Sequence, residues 1–203
     1  RVRLIANFGA GVEHIDLAAA QAAGIAVTNT PDALTGATAE LALTLMLMAM
    51  RRAGEGERQV RAGGWKGWGP TAMLGQTLSG KLLGLVGYGR IARATAALGR
   101  AFGMRIACYS RSPVNEPEVQ YFASLEDLLA KADVVSLHVP GGAATRHLIN
   151  AERLALMKPT AVLVNTARGP VGDEPALAEA LRQGQIHSAA LDVFEEEPKV
   201  HPA

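Results

Sequence analysis

Length, composition and charge exclude several classes of protein. The chain has 203 residues, 49% of them hydrophobic, and a formal net charge of +1. This length suits one large domain or one and a half, and without a basic excess nucleic acid is not an expected partner. The apolar run at residues 41–50 is far shorter than the ~20 residues of a membrane span, so no membrane is expected either. The single cysteine, Cys108, cannot form an internal disulfide, which fits a reducing compartment, and we expect the cytoplasm.

The first 29 residues contain a short set of alternating elements. We expect, in order, a strand (2–6), a glycine-rich loop (7–11), a helix closed by Gly24 (15–23) and a second strand (25–28). Pro31 and Asp32 then mark a boundary, because proline disfavours helix in the residue before it.

A single long helix is predicted from about residue 35 to residue 62. Its sequence is apolar nearly all round as far as Met50, and such a helix is buried either in a core or in a subunit contact. A Gly- and Trp-rich loop follows at residues 63–70. In that loop Trp65 and Trp68 either close over a substrate pocket or serve only in packing.

The rest of the chain is arranged around residues 81–112. A buried strand (82–86), a glycine turn (87–89), a helix (90–102) and a second buried strand (104–109) follow one another there. This order is one βαβ unit, which is right-handed by the usual rule.

The glycine turn has the spacing of a dinucleotide-binding site. Gly87 permits the tight turn, and Gly89 has no Cβ to block a pyrophosphate. Ala92 is small enough to let the helix lie close to the strand, and the helix N-terminus offers unpaired N–H groups to the anion. The alternative is a plain turn in a structural βαβ unit. The strand before the motif and the helix after it favour the nucleotide site.

The end of the second strand bears on the choice of coenzyme. An NAD site usually places an acidic residue there to hold the ribose 2′-hydroxyl, but residues 103–115 contain no acid. The turn instead reads Ser110-Arg111-Ser112, and an arginine between two hydroxyls suits a 2′-phosphate. The sequence therefore favours NADP over NAD, with NAD still possible. The alternative is that Arg111 is an ordinary surface charge.

Strands and helices continue to alternate towards the C-terminus. Helices are predicted after the capping residues Ser124, Asn150 and Asp173, and the strands between and after them are expected at residues 133–139, 161–165 and 186–193. This pattern predicts an α/β fold with a doubly wound parallel sheet, a Rossmann-type coenzyme domain covered on both faces. Ligands of such sheets bind at the carboxyl ends of the strands, so the site residues are expected there. No metal site is predicted.

These features resemble the D-isomer-specific 2-hydroxyacid dehydrogenase family, most closely its glyoxylate/hydroxypyruvate reductase branch. The resemblance covers the whole chain and rests on several motifs in order: Thr30-Pro31-Asp32, Ala39-Glu40, the GGW loop, GLVGYGRIA, VNTARG and LDVFEEEP. It departs from the family in the segment Val139-Pro140-Gly141-Gly142 and at Gly172, where a valine is usual.

The resemblance implies roles for particular residues. Arg168 and Glu197 match the catalytic arginine and glutamate, and Ala10 and Gly11 match the loop whose backbone N–H groups bind the substrate carboxylate together with Arg168. The residues expected to bind the coenzyme are Gly87, Tyr88, Gly89, Arg90, Ile91, Ser110, Arg111, Ser112, His138, Val139, Pro140, Thr145, Thr166, Ala167, Arg168 and Asp192.

The family's third catalytic residue, a histidine in a Pro-His-x-Gly segment, has no counterpart in residues 1–203. His201 lies too soon after Glu197, and we interpret it as a loop residue. The resemblance thus implies three parts: an incomplete, flavodoxin-like substrate domain (1–29), a dinucleotide-binding domain (30–194) and a crossover towards the substrate domain (195–203). On this interpretation residues 1–203 bind NADPH without turnover.

The expected function is hydride transfer between NADPH and a small 2-oxoacid, giving the D-2-hydroxyacid. Arg168 would hold the substrate carboxylate, and Glu197 would orient the protonated histidine. The alternative is a non-catalytic NAD(P)-binding sensor or corepressor-like module, from which turnover of a 2-oxoacid would distinguish an enzyme. A homodimer formed through the long apolar helix is expected in either case.

Overall fold

The computed structural model describes residues 1–202 as two parallel sheets with helices around them. The strands are β1 (Leu4–Ala6), β2 (Ala26–Thr28), β3 (Leu82–Val86), β4 (Arg105–Tyr109), β5 (Val119–Phe122), β6 (Val134–Leu137), β7 (Val162–Asn165) and β8 (Ser188–Leu191). The α-helices are α1 (Leu17–Ala22), α2 (Thr35–Met50), α3 (Ala53–Arg61), α4 (Arg90–Ala101), α5 (Leu125–Lys131), α6 (Ala151–Leu154) and α7 (Glu174–Arg182).

The larger sheet has the doubly wound order of a dinucleotide-binding fold. Within residues 1–202 its six strands follow the order β5-β4-β3-β6-β7-β8, and every neighbouring pair is parallel. The strand order reverses between β3 and β6, and the crevice at such a switch point is where ligands of these sheets bind. The predicted α/β fold class is confirmed.

Two hydrophobic clusters cover the two faces of this sheet. Helices α2 and α4 pack together on one face, where α2 also lies over β7 and β8, and α5 packs against β3 and β4 on the other. Successive side chains of a strand point to opposite faces; accordingly Leu82 and Val86 belong to one cluster, and Leu83 and Leu85 to the other. All four are buried, as expected for a central parallel strand.

The three predicted helix caps are confirmed. The side chains of Ser124, Asn150 and Asp173 each accept a hydrogen bond from the backbone N–H three residues further on, at 3.1, 3.0 and 3.0 Å. Each bond satisfies a donor that the first turn of a helix leaves unpaired. The other predicted elements agree with the observed ones apart from a few residues at their ends.

The prediction of one helix over residues 35–62 was wrong. The chain forms α2 and α3 with a break at Arg52, whose φ of 55° is left-handed. The cause is a segment distant in sequence: Gln76 donates its backbone N–H to Met50 O at 2.8 Å. Gly75 lies so close that a Cβ there would be 2.6 Å from the same oxygen. The carbonyl that would continue the helix is thus taken by another part of the chain.

Strand β5 was not predicted. It extends the sheet beyond β4, with Ile106 opposite Val119, and most of its side chains are only half-buried. An edge strand of four residues between turn-forming segments carries too little apolar periodicity to be recognised locally. Its presence matters because it closes the connection that carries Arg111.

The smaller sheet pairs β1 with β2 in parallel, with Leu4 opposite Ala26. Asp16 caps α1 between them by accepting the N–H of Ala19 at 2.9 Å. Large apolar side chains in this part are exposed, among them Leu4 and Phe8. Within residues 1–202, no helix is both long enough and apolar enough to cross a bilayer.

Candidate functional site

A cleft of about 680 Å³ opens at the carboxyl ends of β6 and β7. Its walls are the loop before α1, the first turn of α4, and the segments that follow β6 and β7. It therefore lies beside the switch point of the large sheet and brings together loops that are far apart in sequence. The predicted site residues that line the cleft are Ala10, Gly11, Ile91, His138, Val139, Pro140, Thr166, Ala167 and Arg168.

The glycine turn between β3 and α4 has the geometry that the sequence required. Gly87 has φ of +87°, and a Cβ there would lie 2.7 Å from His138 O. At Gly89 a Cβ would meet nothing within 4 Å, so space remains open in front of the N-terminus of α4, where an anion is favoured. Ala92, in the first turn of α4, is fully buried.

The side chain of Tyr88 does not line the cleft. It is 8% exposed and packs in the α2–α4 cluster, and its hydroxyl donates to Glu116 Oε2 at 2.8 Å. Burial and the Glu116 carboxylate raise the pKa of Tyr88 to about 12. Only the backbone of Tyr88 is left for the nucleotide contact predicted for it. The neighbouring Arg90 pairs with Asp32 at 2.9 Å.

Arg111 is exposed in the turn that follows β4. Ser110 donates its hydroxyl to Ser112 O at 2.5 Å, and Tyr121 donates to Ser110 O at 3.3 Å. Within residues 1–202 the Arg111 guanidinium makes no ion pair, so its charge is available to a ligand.

The segment after β6 places an uncharged histidine at the cleft. His138 is half-buried, and burial lowers its pKa to about 4. One ring nitrogen, Nε2, lies 2.9 Å from Ser136 Oγ. The imidazole is therefore neutral at pH 7. Further along, Thr145 donates its hydroxyl to Pro140 O at 2.7 Å and so holds this loop in shape.

An asparagine-based turn presents Arg168. Asn165, the last residue of β7, donates from Nδ2 to Arg168 O at 2.9 Å, and its Oδ1 accepts the N–H of Ala167 at 3.0 Å. These two bonds from the Asn165 side chain to the backbone fix the residues between the end of β7 and Arg168. Asp192, exposed at the end of β8, lies at the same edge because its N–H donates to Asn165 O at 3.0 Å.

The Arg168 side chain reaches the loop before α1. Its Nη1 donates to Ala167 O at 2.7 Å, and its Nη2 lies 3.4 Å from Glu13 Oε2. The side chain is 45% exposed. Gly11 approaches so closely that a Cβ there would overlap the guanidinium. Arginine and loop thus form one wall of the cleft although 155 residues separate Glu13 from Arg168.

Glu13 is a site residue that the sequence reasoning missed. Partial burial alone would raise the pKa of its carboxyl, but backbone N–H groups and the Arg168 guanidinium outweigh that effect and lower it. The carboxylate lies where an anionic ligand of Arg168 would compete with it. The sequence feature that could have identified Glu13 is its position as an acidic residue two places after Gly11, in the loop predicted to bind a carboxylate.

Two amides of this loop are free to bind a ligand. The carbonyl of Ala10 accepts from Asn29 Nδ2 at 2.8 Å, and that of Gly11 accepts from Asn7 Nδ2 at 2.9 Å. Neither backbone N–H of Ala10 and Gly11 has an acceptor among residues 1–202. The loop is therefore held by its carbonyls and offers its donors, as an anion site requires.

Thr166 supplies a direct test of whether the cleft suits a coenzyme. Its hydroxyl oxygen is buried and has no hydrogen-bond partner within residues 1–202, and the residue lines the cleft. Leaving a buried hydroxyl unsatisfied is costly, so a polar ligand at this position would stabilise the site. Together with the open space at Gly89, this fits a dinucleotide.

Glu197 lies in a turn after β8. Its Oε1 accepts the N–H of Phe194 at 2.9 Å. The turn is fastened through Glu195, whose Oε1 lies 2.7 Å from both Arg146 Nη2 and His147 Nε2. Burial alone would raise the pKa of Glu195, but His147 and Arg146 lower it. The catalytic role expected for Glu197 stays a prediction.

The family described as D-isomer specific 2-hydroxyacid dehydrogenase, NAD binding domain, matches residues 43–203. The chain belongs to this family. The predicted membership is therefore confirmed, and the NAD binding domain of the dehydrogenase is the part that carries the glycine turn, His138 and Arg168.

The chain spans about three fifths of the length of the relatives that it matches. It is 50% identical over 205 residues to a glyoxylate reductase of Aeropyrum pernix, covering 98% of this chain and 61% of the relative. A crystal structure of an NADPH-dependent glyoxylate/hydroxypyruvate reductase from Sinorhizobium meliloti, in complex with NADP and malonate, is 40% identical with a TM-score of 0.91, covering 98% of this chain and 63% of that one. A D-lactate dehydrogenase from Aquifex aeolicus, complexed with NAD and lactic acid, is 36% identical with a TM-score of 0.86, covering 96% and 59%.

Proposed function

We propose that this dehydrogenase chain serves NADPH-dependent reduction of a small 2-oxoacid of the glyoxylate or hydroxypyruvate type to the D-2-hydroxyacid. The observation that carries the proposal is that the Arg168 guanidinium lies beside the loop of Ala10 and Gly11, whose N–H groups are unengaged, in one wall of the cleft. A planar cation beside two backbone donors suits the carboxylate of such an acid. The glyoxylate reductase of Aeropyrum pernix supports the same substrate class.

The residues of the cleft divide the work of the reaction among them. Arg168 binds the substrate carboxylate and polarises the adjacent carbonyl, and the amides of Ala10 and Gly11 orient the same carboxylate. The substrate carboxylate displaces the Glu13 carboxylate from the Arg168 guanidinium. Thr166 and the turn around Gly89 would hold the coenzyme, which when bound supplies the hydride. The proton for the carbonyl oxygen would come from the family's catalytic histidine, oriented by Glu197. His138, being neutral, adds no charge beside it.

The experiment that tests this function follows NADPH oxidation by the complete protein. We expect oxidation to depend on added glyoxylate or hydroxypyruvate, with hydroxypyruvate converted to D-glycerate by chiral analysis of the product. Binding of NADPH without oxidation by either acid, or formation of the L-isomer, would contradict the proposal.

Arg111→Ala is expected to remove most of a preference for NADPH over NADH. Arg111 is exposed, lies in a turn without acidic residues, and makes no ion pair within residues 1–202. A charge-assisted contact with the 2′-phosphate contributes ~1.5–3 kcal/mol, so the unmutated protein should bind NADPH roughly 10- to 100-fold more tightly. Fluorescence titration with both nucleotides measures this.

Arg105→Ala is the matched control for that titration. Arg105 is also exposed and begins the same strand, β4, at the opposite edge of the sheet. Arg105→Ala removes the same charge without touching the ribose site, so the preference for NADPH over NADH should persist. Equal affinities of the unmutated protein for the two nucleotides would exclude the NADPH preference.

We further propose a homodimer formed through α2. The helix buries Ala42 and Met46 against the sheet, while Met48 on its outer side is 42% exposed. An apolar surface of this kind favours association. Sedimentation at micromolar concentration should show a dimer, and Met48→Lys should shift it towards monomer. The control is Leu156→Lys, at a residue outside α2 that is 43% exposed, and it should leave the dimer intact. If both substitutions shifted the dimer towards monomer equally, α2 would not be the interface.

The domain division remains a proposal as well. Residues 1–29 form their own two-stranded sheet, without strand pairing to the larger one, which supports assigning them to a substrate domain. Residues 30–194 hold the coenzyme sheet, and residues 195–203 would lead back. A cytoplasmic location is proposed on the free thiol of Cys108, which lies fully buried in β4.

A further inference from the structure

Three side chains, in contact with one another, link the glycine turn to the connection that carries Arg111. Glu116 accepts from Tyr88 Oη through Oε2 and from Arg93 Nε through Oε1, each at 2.8 Å. The Arg93 guanidinium lies 5.0 Å from the centre of the Tyr88 ring. Each member thus contacts the other two, and the group is called the 88–93–116 clamp below.

The clamp spans two functional segments. Tyr88 lies between the glycines of the turn, and Arg93 is in the first turn of α4. Glu116 lies five residues after Arg111, in a stretch without regular secondary structure. Val114 packs against the same cluster as Tyr88. Because residues 113–116 have no backbone ladder to hold them, side-chain contacts must determine where the Arg111 turn stands.

The charges around Glu116 suit a fixed anchor. Hydrogen bonds from Arg93 and then from Tyr88 lower the pKa of Glu116, so its carboxylate remains ionised at neutral pH. Arg100 is a further cation facing Tyr88 and Glu116 from α4. Nearby cations thus balance the charge of Glu116, which limits its repulsion of a phosphate.

We propose that Glu116 is a positioning residue for coenzyme choice, which holds the Arg111 turn in register with the glycine turn so that one NADPH reaches both. The inference rests on the proposed binding of NADPH through Arg111. Ordering a loop on binding costs affinity, and a loop held in place beforehand avoids that cost. NADH, which lacks the 2′-phosphate, gains nothing from Arg111 and should be insensitive to the clamp.

Glu116→Ala is expected to lower the affinity for NADPH about fivefold, as release of an ordered contact does, and to change the affinity for NADH by less than about twofold. Glu118→Ala is the matched control. Glu118 lies two residues on, has a side chain 80% exposed and is 3.7 Å from Arg100, so its removal changes the charge equally without opening the clamp. Titration with both nucleotides, on variants whose circular dichroism is unchanged, gives the comparison.

A double-mutant cycle with Arg111→Ala separates positioning from mere support of the fold. If Glu116 acts through Arg111, Glu116→Ala causes no further loss of NADPH affinity once Arg111 is alanine, and the two effects are not additive. Additive effects, an equal loss for NADH, or tighter NADPH binding after the loss of the acid would each overturn the inference. If Arg111→Ala alone leaves the preference unchanged, the proposed NADPH site fails and the inference fails with it. A loss of preference in Arg111→Ala but not in Glu116→Ala refutes the clamp alone.

Discussion

Gly169→Ala is expected to lower the free energy of unfolding by about 3 kcal/mol, the upper end of the usual cost of overpacking. A Cβ at this position would overlap Phe194 O and C and crowd Glu195 N. All of these are backbone atoms, so no side chain can rotate away. The variant must push the turn after β8 away from the segment that presents Arg168, and urea denaturation with the intact chain as reference measures the loss.

Gly172→Ala provides the control within the same turn. A Cβ there would meet only Gly169 O, at 4.0 Å, and φ of −97° is open to any residue. We expect the free energy of unfolding to change by less than about 0.5 kcal/mol. The open space agrees with the valine that the family usually carries there. If both alanine variants lost stability equally, the contact with Phe194 would not be the cause.

Arg168→Lys in the complete protein is expected to reduce kcat/KM for glyoxylate about 10²- to 10³-fold, comparable with the loss of one preorganised donor to a reacting oxygen. The guanidinium presents a planar fork to a carboxylate, whereas an ammonium is a point charge on a flexible chain. Since Arg168 would both hold the substrate and polarise its carbonyl, we expect kcat to fall as well as KM to rise. Steady-state NADPH oxidation over a range of glyoxylate concentrations separates the two.

Arg182→Lys is the corresponding control on α7. Arg182 is exposed and pairs with Glu179 on its own helix, and it does not line the cleft. The same chemical change there should leave kcat/KM within about twofold, as surface substitutions usually do. Unchanged NADPH affinity in Arg168→Lys would show that the coenzyme site is intact. An Arg168→Lys enzyme as active as the unmutated one would remove Arg168 from the proposed chemistry.

Much of the coenzyme domain was predictable because its signals are local. The strand at residues 82–86, the Gly87 turn and the helix caps each depend on residues a few positions apart, and the structure agrees with them. The predicted strand ends likewise place His138 and Arg168 at one edge, since the carboxyl ends of parallel strands share an edge. The cleft residues that follow β6 and β7 agree with that rule.

The failures share a cause, which is contact between distant segments. Gly54 and Gly56 weaken the helix near Arg52, but the break itself depends on the distant bond from Gln76 N–H to Met50 O. Strand β5 exists because β4 offers it a partner. The bond from the Tyr88 hydroxyl to Glu116 likewise joins segments far apart in sequence, while the coenzyme contact expected of Tyr88 stays a prediction.

By itself the sequence determined the alternation of strands and helices, the family, and the types of residue at the strand ends, because propensity, periodicity and glycine spacing act over a few residues. Only the tertiary structure decided what those residues touch. It brought Glu13 to Arg168 across 155 positions and joined Glu116 to the glycine turn. It also held the loop of Ala10 and Gly11 by its carbonyls, while the N–H groups of the two residues have no acceptor within residues 1–202. Such contacts depend on how sheet and loops pack in three dimensions, since a pairing between side chains distant in sequence leaves no periodic signal in either segment.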